Sequence, residues 1–271
     1  KKFSIAALVV GLTLAAGIPA AEINLPDIGS PADAALSKNE EAKIGLAIMQ
    51  QIRASGELVE DPQVTEYINE IGHRLAAQAN IDGIHEFSFF VIDNPAINAF
   101  ALPGGFIGVH TGLLEATRNE DELAGVLSHE VAHVTQRHLA RRIHATQRQG
   151  ILSTAIMLGA VLAGAVGGAS SDALQGAIAI SQGTAAQQQI NFTRNNEYEA
   201  DRVGISSLAA AGFDPQGMGS FFEVLSRGNI TPTDRRVPEF LRTHPVSSAR
   251  IAEARGRARS YAPVHTADSI T

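Results

Sequence analysis

The chain has 271 residues, 45% of them hydrophobic, which predicts a domain of above-average size with a buried core rather than a disordered chain. Its formal charge is −7, and it has no run of lysines or arginines, so no nucleic-acid partner is expected. The absence of cysteine excludes disulfides and thiolate metal sites, so any metal has to be held by histidine and carboxylate side chains.

The first 21 residues have the order of a secretory signal peptide. Lys1 and Lys2 precede an apolar run that begins at Phe3, and the small-residue stretch GIPAAE follows. An uncleaved anchor helix is the alternative, although the apolar run is shorter than the roughly 20 residues that a membrane span needs. We therefore expect residues 1–21 to be removed and the protein to be periplasmic, either free or membrane-associated. Residues 22–36 lead from this peptide into the domain.

Two helices and a small sheet are predicted next. A capping box at Ser37-Lys-Asn-Glu40 indicates the start of one helix, and Asp61-Pro62 indicates the start of a second. The aromatic and β-branched stretch FSFFVID, residues 87–93, is typical of a strand. A Pro-Gly-Gly turn inside NAFALPGGFIGVHTGLL then predicts a hairpin, so a small sheet should precede the following helix.

That following helix, predicted to begin at Asn119 and to run past Arg142, carries the sequence SHEVAH. Residues four apart on a helix lie about 40° and about 6 Å apart, so His129 and His133 project from one face and can reach one Zn²⁺. Glu130 is turned by about 100° from His129 and can instead reach a water at the metal. The alternative is an exposed helix face that carries three polar residues.

An uncharged stretch follows, with ILSTAIMLGAVLAGAVGGA at residues 151–169. Its length is that of a membrane span, but its Ala- and Gly-rich composition inserts weakly into a bilayer. Residues 149–190 are therefore interpreted as an insertion that is an apolar lid, a membrane-contacting segment or a span.

A third metal ligand is predicted on a later helix, in NEYEADRVG. Glu197 can supply a carboxylate, and Asp201, one turn on, can accept the free ring N–H of a ligating histidine and fix its tautomer. Glu199 is expected to face elsewhere as a solvated residue. His138 lies five residues after the second histidine of SHEVAH, about 140° away on a continuous helix, and no metal role is expected for it.

These segments together carry a specific resemblance. HEVAH followed by EYEAD, with NAFALPGGFIGVHTGLL before them and LRTHPVSSARI after them, resembles the HtpX-like and CAAX-prenyl-protease-type gluzincin family of zinc metalloendopeptidases over roughly residues 37–260. RNNEYEADRVG and the signal peptide look most similar to the periplasmic BepA-like branch, whose members often carry a C-terminal tetratricopeptide domain. The resemblance implies a mainly helical α+β, zincin-like metallopeptidase domain over residues 37–262, with its small sheet next to the HExxH helix. Residues 263–271 would be a tail or the start of a removed C-terminal domain.

The resemblance also adds two residues to the expected site. Asn98 matches an asparagine on the edge strand beside the family's cleft, where a peptide substrate can add as an extended strand; composition alone would make it a turn residue. His244, in T-H-P, matches a histidine near the zinc on the opposite wall, although composition alone would make it a loop residue before Pro245. His244 could stabilise the oxyanion of the reaction, or it could act as a fourth ligand that keeps the enzyme latent.

The sequence therefore predicts a zinc metalloendopeptidase that hydrolyses peptide bonds of envelope polypeptides in protein quality control. One Zn²⁺ would be held by His129, His133 and Glu197, with Glu130, His244 and Asn98 as catalytic residues. The outer-membrane assembly machinery is an expected partner, as is a membrane surface touched by residues 151–169. The alternatives are an envelope chaperone or assembly factor that does not depend on proteolysis, and an integral-membrane protease.

Overall fold

A computed structural model describes residues 31–79, 86–148, 150, 171–227 and 238–261. Four segments predicted in the sequence analysis lie outside these ranges: the signal peptide (1–21), part of the leading segment (22–30), the apolar stretch (151–169) and the tail (263–271). The helices are α1 (Pro31–Ala35), α2 (Lys38–Ser55), α3 (Pro62–Ala76), α4 (Thr111–Ala116), α5 (Glu120–Thr135), α6 (residues 138–148), α7 (Ser171–Ala210), α8 (Gln216–Ser226), α9 (Glu239–Thr243) and α10 (Ser248–Ala258). The strands are β1 (Ser88–Ile92), β2 (Ala99–Leu102) and β3 (Phe106–His110). The mainly helical α+β class is confirmed.

The sheet has β3 in its centre, parallel to β1 and antiparallel to β2. The predicted hairpin is the β2–β3 unit, whose turn contains Gly104 and Gly105 with φ of 81° and 95°. Such left-handed backbone favours glycine, which has no Cβ to clash with the chain. Since β2 pairs on one side only, its other edge is free of strand partners within the described ranges.

Helix α5 lies at the centre of the molecule and packs against α3, α7, α8 and the sheet. Asn119 caps it, accepting a hydrogen bond from the backbone N–H of Glu122 at 3.0 Å, as predicted. Leu127 of α5 belongs to a core cluster that also includes Ile71, Leu75, Ile107, Ile205, Leu208, Phe221 and Phe240. Every residue from Glu122 to Ala132 is buried. The polar residues of SHEVAH up to Glu130 therefore lie in the interior, which excludes the alternative of an exposed helix face.

The prediction that this helix runs past Arg142 was wrong, because α5 ends at Thr135. Arg137 adopts a left-handed backbone conformation with φ of 53°, and α6 starts in a new direction at residue 138. The Arg137 guanidinium binds the carboxylates of Asp33 and Glu41. These contacts join residues about a hundred positions apart, so helical periodicity could not reveal them.

Helix α7 lies directly beside α5. A Cβ at Gly204 would lie 3.1 Å from the carbonyl carbon and oxygen of Ser128, so glycine allows this close approach of the two backbones. Glu197 and Asp201, seven and three residues before Gly204, share its side of α7 and therefore face α5. None of the helices in the described ranges has the length and apolar content needed to span a membrane.

Candidate metal centre

Four side chains from three parts of the chain converge next to α5. His129 and His133 come from α5, Glu197 comes from α7, and His244 follows α9. The two Nε2 atoms of His129 and His133 lie 3.0 Å apart, and each lies 3.4 Å from a carboxylate oxygen of Glu197. Nδ1 of His244 lies 3.2 Å from Glu197 and 3.3 Å from Nε2 of His129. The structure thus brings together the three predicted metal ligands and His244.

The spacing of these atoms fits one four-coordinate metal ion. Ligand atoms placed tetrahedrally at 2.0–2.1 Å from a zinc ion lie about 3.3–3.4 Å from one another. The distances given above range from 3.0 to 3.4 Å, and one ligand atom from each of the four residues can be chosen so that all lie within 4.8 Å of one another. Three imidazole nitrogens and a carboxylate oxygen are ligand types that zinc accepts. The residues present therefore fit a zinc-sized cation.

Asp201 lies behind the first of these histidines. Its Oδ1 is 2.9 Å from Nδ1 of His129, the ring nitrogen that faces away from the cluster. In the metal-free protein, burial lowers the pKa of His129, but hydrogen bonds to Asp201 and Glu197 outweigh burial and raise that pKa to about 9. Asp201 is therefore placed to hold the orientation of the ring and to select the tautomer that leaves Nε2 for a metal.

Arg250, on α10, is a residue of this site that the sequence analysis missed. Its Nε and Nη2 each lie 2.7 Å from an oxygen of Asp201, and its Nη1 lies 3.0 Å from Glu197. Burial raises the pKa of Asp201, but hydrogen bonds from Arg250 and His129 outweigh burial and leave that pKa below its usual value. Arg250 shares the buried face of α10 with Ala254 and Ala258, so an arginine on an apolar stripe of period four was the available signal.

Glu130 and His244 meet on the open side of the cluster. The Glu130 side chain is 1% exposed, and neither of its carboxylate oxygens has a hydrogen-bond partner among the described residues. Nε2 of His244 lies 3.6 Å from its Oε1. One nitrogen of His244 thus belongs to the ligand cluster while the other faces Glu130.

His138, Glu199 and Arg141 form a second polar group on the side of His133 that faces away from the cluster. Their positions differ from two of the sequence-based predictions. Nδ1 of His138 is 2.8 Å from Nδ1 of His133, and Nε2 of His138 is 3.3 Å from Glu199. Arg141 binds the same Glu199 carboxylate at 2.8 Å. The prediction that His138 faces away from His133 was wrong, because the chain turns at Arg137. The prediction that Glu199 is merely solvated was also wrong, since it contacts two side chains of α6.

A cavity of about 420 Å³ adjoins the cluster. Glu130, His133, Glu197 and His244 line one part of it, and residues 100–102 of β2 line another. Apolar side chains, among them Leu46, Phe100, Val134 and Leu139, form further parts of its wall. Strand β2 and the metal cluster therefore line the same cavity.

Asn98 is not brought into the cluster. It precedes β2, it is buried, and it is not among the residues that line the cavity. Its backbone carbonyl accepts a hydrogen bond from the N–H of His110 at 3.0 Å, and its side-chain oxygen has no partner in the described ranges.

Known proteins are similar to this chain over most of its length. The sequence profile of peptidase family M48 matches residues 62–258. The beta-barrel assembly-enhancing protease of Escherichia coli (strain K12) is 42% identical over 268 residues, which cover 97% of this chain and 54% of that protein. The protease of the same name from Yersinia pestis is 42% identical over 93% of this chain and 50% of its own length. The mitochondrial metalloendopeptidase OMA1 of Arabidopsis thaliana is 29% identical over 82% of this chain and 42% of its own length. The chain spans about half the length of these curated relatives.

Proposed function

The chain belongs to peptidase family M48, and on that premise we propose that it is a zinc-dependent metalloendopeptidase that hydrolyses peptide bonds of cell-envelope polypeptides in protein quality control. One observation carries the proposal: His129, His133, Glu197 and His244 converge with tetrahedral spacing beside Glu130, which is buried and whose carboxylate makes no hydrogen bond to any described residue. The peptidase domain would span residues 37–262, which include the whole matched region.

We propose that one Zn²⁺ per chain is held by His129, His133 and Glu197. Asp201 would accept the ring N–H of His129, so that the lone pair on the other ring nitrogen points at the ion. When bound, zinc polarises the scissile carbonyl as a Lewis acid and lowers the pKa of water at the site toward about 7.

Glu130 is proposed as the general base and acid of the reaction. It projects from α5 next to His129 on the open side of the ligand cluster, with its Oε1 3.6 Å from Nε2 of His244, and neither carboxylate oxygen has a hydrogen-bond partner within the described ranges. A carboxylate in this position can take a proton from the attacking water and later deliver it to the leaving amine. Its burial keeps bulk water away from this proton transfer.

His244 supports two opposite proposals. As a hydrogen-bond donor it would stabilise the oxyanion, an interaction worth roughly 3–4 kcal/mol in other enzymes. As a fourth ligand it would complete the coordination of the metal and keep the enzyme latent, because closed sites with four protein ligands are not catalytic. The position of its Nδ1, 3.2–3.3 Å from Glu197 and His129, supports latency as the resting state.

Substrates are proposed to be polypeptides that add to the free edge of β2 as an extended strand. Residues 100–102 line the cavity that reaches the cluster, so a strand paired there would pass the metal. Asn98, immediately before β2, is proposed as a residue that holds the substrate backbone, on the basis of the family resemblance and of its side-chain oxygen, which has no hydrogen-bond partner among the described residues.

A role as an assembly factor or chaperone of the envelope is the second candidate. The E. coli and Y. pestis relatives are named for enhancing β-barrel assembly as well as for proteolysis. We propose a periplasmic location, a signal peptide at residues 1–21 and the outer-membrane assembly machinery as a partner. Membrane contact through residues 151–169 is proposed as well, outside the described ranges. The presence of Glu130 favours the enzyme, because a scaffold stabilised by zinc has no need of this carboxylate.

The test is to measure zinc content and casein cleavage for the wild type and for Glu130→Gln, each also in a His244→Ala background where the metal has an open position. Glu130→Gln should retain zinc and lose cleavage in both backgrounds. Glu115→Gln, an exposed glutamate on α4, is the matched control and should cleave like its parent. Cleavage retained by Glu130→Gln would remove Glu130 from the mechanism, and zinc-free protein without any cleavage would contradict the proposed function.

A further inference from the structure

His138 and Glu199 lie behind the metal cluster and take no part in the mechanism proposed above. Nε2 of His133 faces the cluster, while its other ring nitrogen, Nδ1, lies 2.8 Å from Nδ1 of His138. The His138 side chain is 5% exposed, so water does not compete freely for this contact. We infer that His138 is a positioning residue that fixes the ring of the ligand His133, and that Glu199 fixes the tautomer of His138. This inference rests on the metal centre proposed above.

A single assignment of ring protons satisfies the hydrogen bonding of His133, His138 and Glu199. A neutral imidazole that ligates a metal through Nε2 carries its proton on Nδ1. His133 therefore donates from Nδ1, and Nδ1 of His138 has to be the acceptor. His138 then carries its own proton on Nε2 and donates it to the Glu199 carboxylate at 3.3 Å. The opposite tautomer of His138 would place two N–H groups against each other at 2.8 Å.

Arg141 and the backbone conformation at Arg137 stabilise this arrangement of His133, His138 and Glu199. Arg141 lies one turn after His138 on α6 and binds Glu199 at 2.8 Å, which keeps the carboxylate in place and ionised. The left-handed turn at Arg137 directs His138 back toward α5 instead of away from it. This conformation is unfavourable for a non-glycine residue, and the Arg137 side chain is held in place by its contacts with Asp33 and Glu41.

Each α5 histidine of the cluster thus has its own partner behind it. Oδ1 of Asp201 lies 2.9 Å from Nδ1 of His129, and Nδ1 of His138 lies 2.8 Å from Nδ1 of His133. Partners of this kind orient a ligand and raise its basicity, and their loss weakens metal binding about 10- to 100-fold. His138 is not itself one of the four residues whose atoms could share the ion, so its effect has to pass through His133.

The experiment compares His138→Leu, which has no acceptor, with His138→Gln, whose side-chain carbonyl can accept from His133. Zinc affinity is measured by competition with a chromophoric chelator, and the visible absorption of the cobalt-substituted protein reports the geometry of the site. His138→Leu should bind zinc about 10- to 100-fold more weakly than the wild type and change the cobalt spectrum, and His138→Gln should restore most of both. His144→Leu, on the same helix, is the matched control and should behave as the wild type.

Glu199→Ala provides a second test should His138→Leu not fold. It leaves both histidines in place but removes the acceptor that selects the tautomer of His138, and it should weaken zinc binding in the same direction. Wild-type affinity in both His138→Leu and Glu199→Ala, or equal losses in His138→Leu and His138→Gln, would overturn the inference while leaving the metal centre intact. A wild-type chain that binds no zinc would instead contradict the proposed function, and the inference with it.

Discussion

Replacing Arg250 by methionine should destabilise the metal-free protein strongly. The substitution keeps much of the length of the side chain but leaves the carboxylates of Asp201 and Glu197, 5% and 4% exposed, without the guanidinium. Three charge-assisted hydrogen bonds to these carboxylates, of 2.7, 2.7 and 3.0 Å, are lost, together with one of 2.8 Å to the carbonyl of Pro245. Such bonds contribute about 1.5–3 kcal/mol each, but bonds that share one guanidinium are not additive. Removing one partner of a buried ion pair costs about 3–5 kcal/mol in total, and we expect the free energy of unfolding to fall by that amount.

Urea unfolding of the metal-free proteins at pH 7 measures this loss. Arg257→Met, on the same helix, is the control: Arg257 forms a partly exposed pair with Glu253 at 3.1 Å, and its loss should cost no more than about 1 kcal/mol. A loss below about 1 kcal/mol for Arg250→Met would refute the reasoning, because the two carboxylates would then not depend on the guanidinium.

The same comparison has a predicted pH dependence. In the wild type, burial raises the pKa of Asp201, but hydrogen bonds from Arg250 and His129 outweigh burial and hold that pKa below its ordinary value of 3.8. Stability from such a depressed pKa is present above the unfolded pKa and is lost as the pH falls through the folded pKa. Without Arg250 the carboxylate protonates at higher pH, so the difference between variant and wild type should shrink as the pH falls below about 5. A difference that grows on acidification would contradict this account.

Two further substitutions test the packing of the site and the role of His244. Gly204→Ala places a Cβ 3.1 Å from the Ser128 carbonyl, so it should push α7 from α5, lower the unfolding free energy by about 1–3 kcal/mol and weaken zinc binding. Gly256→Ala, whose Cβ would meet nothing within 4 Å, should instead raise the free energy of unfolding by about 0.5–1 kcal/mol. Thermal unfolding of both variants measures this difference. His244→Ala should raise casein cleavage if His244 is a latent fourth ligand, and a fall in cleavage would favour the oxyanion role.

Features that depend on neighbouring residues were predictable from the sequence. The capping box at Ser37, the N-caps at Asp61 and Asn119, and the hairpin that turns at Gly104 and Gly105 are all present, because each is decided within a few residues. The spacing of two potential metal ligands four residues apart on one helix is likewise set by the local sequence. It was enough to indicate His129 and His133, and the structure places Glu197 beside them.

The remaining parts of the site depend on contacts between distant residues. The end of α5 at Thr135 follows from the binding of Arg137 to α1 and α2, which no local pattern reports. Because α5 ends there, His138 turns back to contact His133, and the prediction from a continuous helix placed His138 on the wrong face. Arg250 is separated from Asp201 by 49 residues, and only the folded chain shows that it neutralises the carboxylates of the centre.

Anomalous scattering from crystals of the zinc-loaded chain, collected on both sides of the zinc absorption edge, tests the metal centre most directly. The account predicts one peak per chain, about 2.0–2.2 Å from Nε2 of His129, Nε2 of His133 and a carboxylate oxygen of Glu197. In His129→Ala this peak should be lost or much reduced. A zinc-loaded chain with no peak among these three side chains, or with its peak elsewhere, would contradict the central claim.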